Sequence, residues 1–306
     1  MKRLFLIVMV LLLLSGIGVV VWTAAGLPPV RMVWRYGFSY GPEPTGQVKP
    51  IGGIEFVEIG PGCFLMGSRE GAEGGDLLGQ WCSRFGLPWG DQPEPSREMP
   101  VHWVEFPRGF FIAKTEVTNE QYEAFDPKHE RNDFSPGDRD PVVYVSWEDA
   151  KKYCAWLSEK SGQAIRLPSE SEWECACRAG SKREFCFGDD EKLLAQYAWY
   201  DANSDGKAHE VGTLRANAWG LHDLHGNVWE LCEDNWHKTY TYAPTDGAPW
   251  TIRYLEGGPG KPVVVARGGA WSSARLGCRS AYRGKVSQGR KERWLGFRPA
   301  FWPSEN

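Results

Sequence analysis

The chain has 306 residues, 42% hydrophobic and 24% charged, so it can bury a core and is not an intrinsically disordered sequence. Its 36 glycines and 21 prolines exclude a long helical bundle, and 16 tryptophans point to a loop-rich fold with many aromatic anchors. A net charge of −4 supplies no broad field for nucleic acid, so none is expected as a partner.

Lys2 and Arg3 precede an apolar run from Leu4 to Trp22, broken only by Ser15, Gly16 and Gly18. A charged end followed by such a run is an export signal over residues 1–25, either an uncleaved anchor in the membrane or a peptide cleaved after Ala25. In both cases the remainder is expected outside the cytoplasm, membrane-anchored or secreted, where disulfides persist. Residues 26–53 are proline- and glycine-rich without periodicity and read as a linker.

From Ile54 the pattern changes. Ile54–Ile59 and Cys63–Gly67 flank Gly60-Pro61-Gly62 and suggest a hairpin, residues 68–100 a surface excursion, and Val101–Ile112 another strand. Thr118 with Gln121 can cap a short helix beginning at Asn119. Ser146 opens the clearest helix, with acids in its first turn and Ala150, Tyr153, Cys154 and Leu157 on one face, stopping at Gly162. Ser169 with Glu172 caps another, with Trp173 and Cys177 inward and an end at Gly180. Beyond it only short strands and loops are expected. With no repeat and no second linker, residues 54–302 read as a single α+β domain of about 250 residues.

Several segments in order carry a resemblance: residues 56–67, Lys114-Thr115-Glu116-Val117-Thr118-Asn119, Tyr144-Val145-Ser146-Trp147, Arg166-Leu167-Pro168-Ser169, Gly226-Asn227-Val228-Trp229-Glu230, Gly268-Gly269-Ala270-Trp271 and Leu295-Gly296-Phe297-Arg298. Together they resemble the formylglycine-generating enzyme, or sulfatase-modifying factor, family. The resemblance implies an irregular C-type-lectin-like α+β fold with little regular secondary structure. It also implies a structural calcium ion on Asp223, Gly226, Val228 and Glu230, whose carboxylates and carbonyls suit a hard cation. The alternative for Glu230 is an ion pair with a C-terminal arginine. Asn203 and Asp205 are candidates for a second ion. His222 and His225 could be read as a metal pair, but their loop setting favours hydrogen-bonded histidines.

The active enzymes of the family hold Cu(I) on two thiolates five residues apart, and the corresponding positions here are Ser273 and Cys278. A hydroxyl at the first position removes half of that ligand set, and Ala270 replaces a serine of the active enzymes; Cu(I) is therefore not expected. Cys278 is expected in a disulfide with Cys232, with a free or redox-active thiol as the alternative. Between Arg267 and Arg298 stand nine basic residues against one acid, Glu292. Arginines there could tie loops through buried carboxylates such as Glu116, Glu170 and Glu172. Alternatively Trp229, Trp271, Arg279 and Trp294 line a cleft for a protein, peptide or glycan ligand. The expected function is thus an exported, divergent enzyme or ligand-binding module of the family. The alternative is a genuine oxidase that converts a sulfatase cysteine to formylglycine.

Overall fold

A computed structural model describes residues 41–68, 97–252 and 262–303. The export segment, the excursion with Cys82, and the far C-terminus lie outside these residues. Among the described residues no helix is long and apolar enough to cross a membrane.

The strands are β1 (Pro44–Ile51), β2 (Ile54–Ile59), β3 (Gly62–Met66), β4 (His102–Phe106), β5 (Phe110–Ala113), β6 (Ala198–Trp199), β7 (His225–Gly226), β8 (Trp229–Asn235), β9 (Val263–Arg267), β10 (Arg283–Ser287), β11 (Leu295–Gly296) and β12 (Ala300–Phe301). The α-helices among the described residues are α1 (Asn119–Glu123), α2 (Trp147–Ser161) and α3 (Glu170–Arg178). Two four-stranded sheets, in the orders β1-β2-β5-β12 and β10-β9-β8-β11, are accompanied by the pairs β3-β4 and β6-β7. Short strands, few helices and long connections give the irregular α+β architecture expected of a C-type-lectin-like fold.

Both main sheets are covered on two faces, which explains why their sequences alternate imperfectly. In β2 and β5, Phe56 and Phe111 face a core shared with α2, whereas Val57, Ile59 and Ile112 face a second core shared with α3. The rings of Phe56 and Phe111 pack against Phe301 of β12 at centroid separations of 5.2 and 4.5 Å. All three helices begin at the N-caps read from sequence, Thr118, Ser146 and Ser169, and each cap forms a capping box, with Gln121, Asp149 and Glu172. Gly162, at φ 69°, closes α2 in the left-handed conformation.

Three local expectations need correction. The proposed linker 26–53 gives way to strand β1 at Pro44, because Val48–Ile51 pairs with Ile54–Val57 across a tight turn at Gly52-Gly53. β1 is mostly solvent-exposed, so its sequence carried no apolar period. The Ile54–Ile59 and Cys63–Gly67 strands do not form a hairpin: β2 pairs with β1 and β5, and β3 pairs with β4. Gly60 N–H donates to Glu43 O at 2.8 Å, and a Cβ on Gly62 would lie 2.5 Å from Pro42 N. The Gly-Pro-Gly turn therefore moves the chain between sheets. The single strand expected over Val101–Ile112 also splits into β4 and β5 around Gly109, where a Cβ would meet Ile59 O at 2.2 Å.

A buried ionic lattice holds the loops to this frame. Arg267 bridges Glu170 and Glu174, Arg283 grips Glu170, Arg178 joins Glu174, and Arg166 meets Glu172. Every residue of α3 is buried, acids included, because these guanidiniums neutralise it.

Candidate functional site

The site is built where β9 ends. Gly268 and Gly269 adopt φ 97° and 76°, and a Cβ at Gly269 would lie 2.9 Å from Gly277 O and 3.0 Å from Cys278 Sγ. The glycines thus let the 270–278 segment fold back onto the strand exit. Ser273 Oγ accepts from Ala270 N–H at 2.9 Å and lies 3.7 Å from where a Gly277 Cβ would stand. A single 3₁₀ turn, Arg275–Cys278, then delivers Cys278 beneath it. The two positions named from sequence therefore share one short turn, as one hydroxyl and one thiol.

Cys278 is fully buried among Phe185, Leu194 and Ala198, and burial pushes its thiol up to about 12. At neutral pH it is protonated, which is a poor state for a nucleophile or a soft-metal ligand. The expected disulfide with Cys232 is not formed. Cys232 is a free thiol on β8 in the core beneath α3, and Cys278 is a free thiol in a separate cluster. The resemblance, which sets the Cys232 strand close to the Gly-Gly segment, and the exported compartment suggested a bridge, but the two thiols lie in separate buried clusters. Cys63, Cys154, Cys175 and Cys177 are likewise free and buried, and Cys186 is free and half-buried.

His225 is not a metal ligand. Its Nδ1 bonds Cys278 O at 2.8 Å, its Nε2 accepts from Cys186 N–H at 3.2 Å, and Cys177 Sγ lies 3.7–3.8 Å from both ring nitrogens. Those partners fix the proton on Nδ1 and leave no lone pair. His222 Nδ1 bonds Leu214 O at 2.9 Å. Among the described residues no group of three or more His, Cys, Asp and Glu side chains is arranged as a metal site.

The residues expected to hold calcium divide into two kinds. Glu230 does not serve: its oxygens accept from Arg298 Nη2 at 2.7 Å, Arg298 Nε at 2.6 Å and Trp173 Nε1 at 2.8 Å. It is the ion-pair alternative that holds there. Asp223, at φ 61°, accepts Gly212 N–H on Oδ2 at 2.7 Å, but its buried Oδ1 has no partner. Glu116 accepts from Asn227 Nδ2 at 3.1 Å through Oε1, and its buried Oε2 is also unpartnered. Glu116, Asp223 and Glu230 thus surround one guanidinium with three carboxyls, and two orphaned oxygens call for a proton or a cation. Burial, reinforced by the neighbouring Asp223, raises the Glu116 carboxyl well above the usual range. Asn203 spends both ends of its amide on Tyr200 N and Ala198 O, so it is not a ligand for a second ion.

Of the expected cleft residues, Trp271 is buried and packs in one cluster against Trp229 and Trp294, which are half-buried. Arg279 is not available to a ligand. It is buried and bound by both nitrogens to Glu98, at 2.7 and 3.0 Å, with its guanidinium over Tyr282. Tyr282 in turn lies 6.0 Å from Trp229, centroid to centroid. Phe134, which no local pattern singled out, stacks on Trp271 at 5.3 Å and 10°. The half-buried rings of Phe134, Trp229, Tyr282 and Trp294, gathered around the buried Trp271, form an aromatic ledge beside the Ser273–Cys278 turn.

Residues 47–301 match the family described as "Sulfatase-modifying factor enzyme 1-like domain". A solved structure, PvdO from Pseudomonas aeruginosa, is similar at 30% identity and a TM-score of 0.69, covering 85% of this chain and 99% of that one. A formylglycine-generating enzyme of Streptomyces coelicolor is 32% identical over 43% of this chain and 46% of its own length. A protein named serine/threonine-protein kinase pkn1 in Chlamydia caviae is 30% identical over 85% of this chain, which spans only 40% of that relative's length. The glycine-built turn, the capped and charge-neutralised α3 and the order of the motifs agree with these matches: the chain belongs to the sulfatase-modifying factor, or formylglycine-generating enzyme, family.

Proposed function

We propose that this chain is an exported member of the family that binds a peptide or glycan on the ledge of Trp229, Trp271 and Trp294 and lacks the two-thiolate copper chemistry. The observation that carries this reading is the Ser273–Cys278 pair. One member is a hydroxyl held by Ala270 N–H, and the other is a buried thiol raised to about 12. A soft Cu(I) ion needs thiolates, and this turn offers one sulfur in its protonated form. Export is supported by Lys2-Arg3 ahead of the Leu4–Trp22 run, which supplies either a membrane anchor or a cleaved signal. Calcium fits Asp223 through its unpartnered Oδ1, with the backbone of Gly226 and Val228 as further oxygens; Glu230 contributes only by fixing Arg298.

The test is Cu(I) titration combined with aldehyde detection on a Cys-x-Pro-x-Arg peptide. We expect no stoichiometric high-affinity copper and no aldehyde. Stoichiometric binding with turnover would instead make the chain a formylglycine-generating oxidase that works with Cys278 alone. The Ser273→Cys variant separates the cases further, since restoring the second thiol should create copper binding where the parent has none.

A further inference from the structure

The basic residues from Arg267 to Arg298 are almost all neutralised. Arg267, Arg275, Arg279, Arg283, Arg290, Lys291 and Arg298 each pair with a carboxylate. Arg293 and Lys285 are exposed, and among the described residues neither has an ion-pair partner. Arg293 lies with its guanidinium 4.6 Å from the Phe134 ring centroid and 5.7 Å from that of Trp271. Its backbone segment is fixed from three sides: Trp271 Nε1 donates to Arg293 O, Tyr144 N–H to Glu292 O and Trp229 N–H to Trp294 O. A guanidinium stacked on a fixed aromatic pair presents its N–H edge outward with little entropy left to lose, the geometry suited to a carboxylate.

The same ledge leads to a strand that ends its sheet among the described residues. Trp229 covers Gly284 of β10, where a Cβ would lie 2.5 Å from the indole. β10 ends its sheet and pairs only with β9 among the described residues, so its outer backbone edge can accept another extended chain. Lys285, the second unspent cation, stands on that strand. A saccharide could stack on the rings but could not continue the β ladder.

We infer that the ledge takes an extended acidic peptide, with a side-chain carboxylate on Arg293 and the peptide backbone along β10. This rests on the ligand-binding reading above and deepens it to one ligand class. The probe is an array of short synthetic peptides in matched pairs, each acidic residue replaced by its amide in the partner, incubated with the complete exported domain. Wild type should bind acidic members about tenfold or more above their amide partners, with the preference weakening as salt rises. Arg293→Gln should equalise the pairs without moving the thermal midpoint, whereas Arg290→Gln, whose charge is already paired, should leave the preference intact. Retention of the preference in Arg293→Gln overturns the proposal. So does an array on which nothing binds, or competition by uronate-bearing oligosaccharides without any peptide bound. Failure of the broader reading is scored separately, because copper-dependent aldehyde formation can be measured whatever the array shows.

Discussion

Ser273 and Cys278 show how one atom changes what a turn offers a soft metal ion. On this turn one oxygen accepts the Ala270 N–H, and the one sulfur is buried with its thiol pushed up to about 12. Glu116 makes a comparable point about charge. Its carboxyl is raised above the ordinary value, so its stabilising effect is fully present below that value and is lost as pH rises through the folded one. Without calcium, stability should therefore fall as pH rises past the ordinary carboxylate value. Glu116→Gln keeps the acceptor for Asn227 and turns a donor toward Asp223. We expect it to flatten the pH dependence and to raise stability near pH 8 by about 1–3 kcal/mol, measured by urea denaturation. A variant with the parent's pH slope would remove the role assigned to this carboxyl.

At the scale of elements, glycine sets the close approaches from which the site is assembled. Gly226 of β7 has φ 86°, and a Cβ there would lie 2.2 Å from Trp199 O on the neighbouring β6. Gly180, just past α3, has φ 84° but nothing within 4 Å. Gly226→Ala should cost about 3 kcal/mol or more, since strand β6 must move, whereas Gly180→Ala should cost only the conformational penalty of about 1 kcal/mol. Chemical-denaturation midpoints of the two variants test this, and equal losses would show that the clash is relieved cheaply. The helices were legible beforehand because each capping box is encoded within four consecutive residues. Strand pairing was not. β1 is exposed and aperiodic, and the Gly60-Pro61-Gly62 turn looked like a hairpin although its close contacts send the chain into another sheet.

For the whole molecule, ionic and hydrogen-bonded ties do the work that disulfides were expected to do. Glu98–Arg279, Glu170–Arg283 and Glu230–Arg298 connect residues far apart in sequence, all of them buried. The proposed calcium ion belongs at this scale, because Asp223 and Glu116 bring distant segments together around two orphaned oxygens. Adding calcium should raise the thermal midpoint by several degrees and chelation should reverse it. Asp223→Ala should abolish that response, while Glu230→Gln should destabilise the fold with or without the ion. An unchanged midpoint in calcium would leave a shared proton as what satisfies the Glu116–Asp223 pair.

The sequence by itself determined the family, the three capped helices, the α+β class and the loss of the second thiol, because each is written in local residue order and identity. It also named most of the aromatic ledge. Only the tertiary structure decided which charges are spent. Arg279 looked like a cleft residue and is consumed by Glu98, while Arg293 looked like one of a basic run and keeps its charge on Phe134 and Trp271. It likewise placed Cys232 and Cys278 in different cores and gave Glu230 to Arg298 instead of to a metal. The physical reason is common to all of these. Pairing energies fall off within a few ångströms, so a residue's role depends on which distant segment packs beside it, and linear spacing does not encode that.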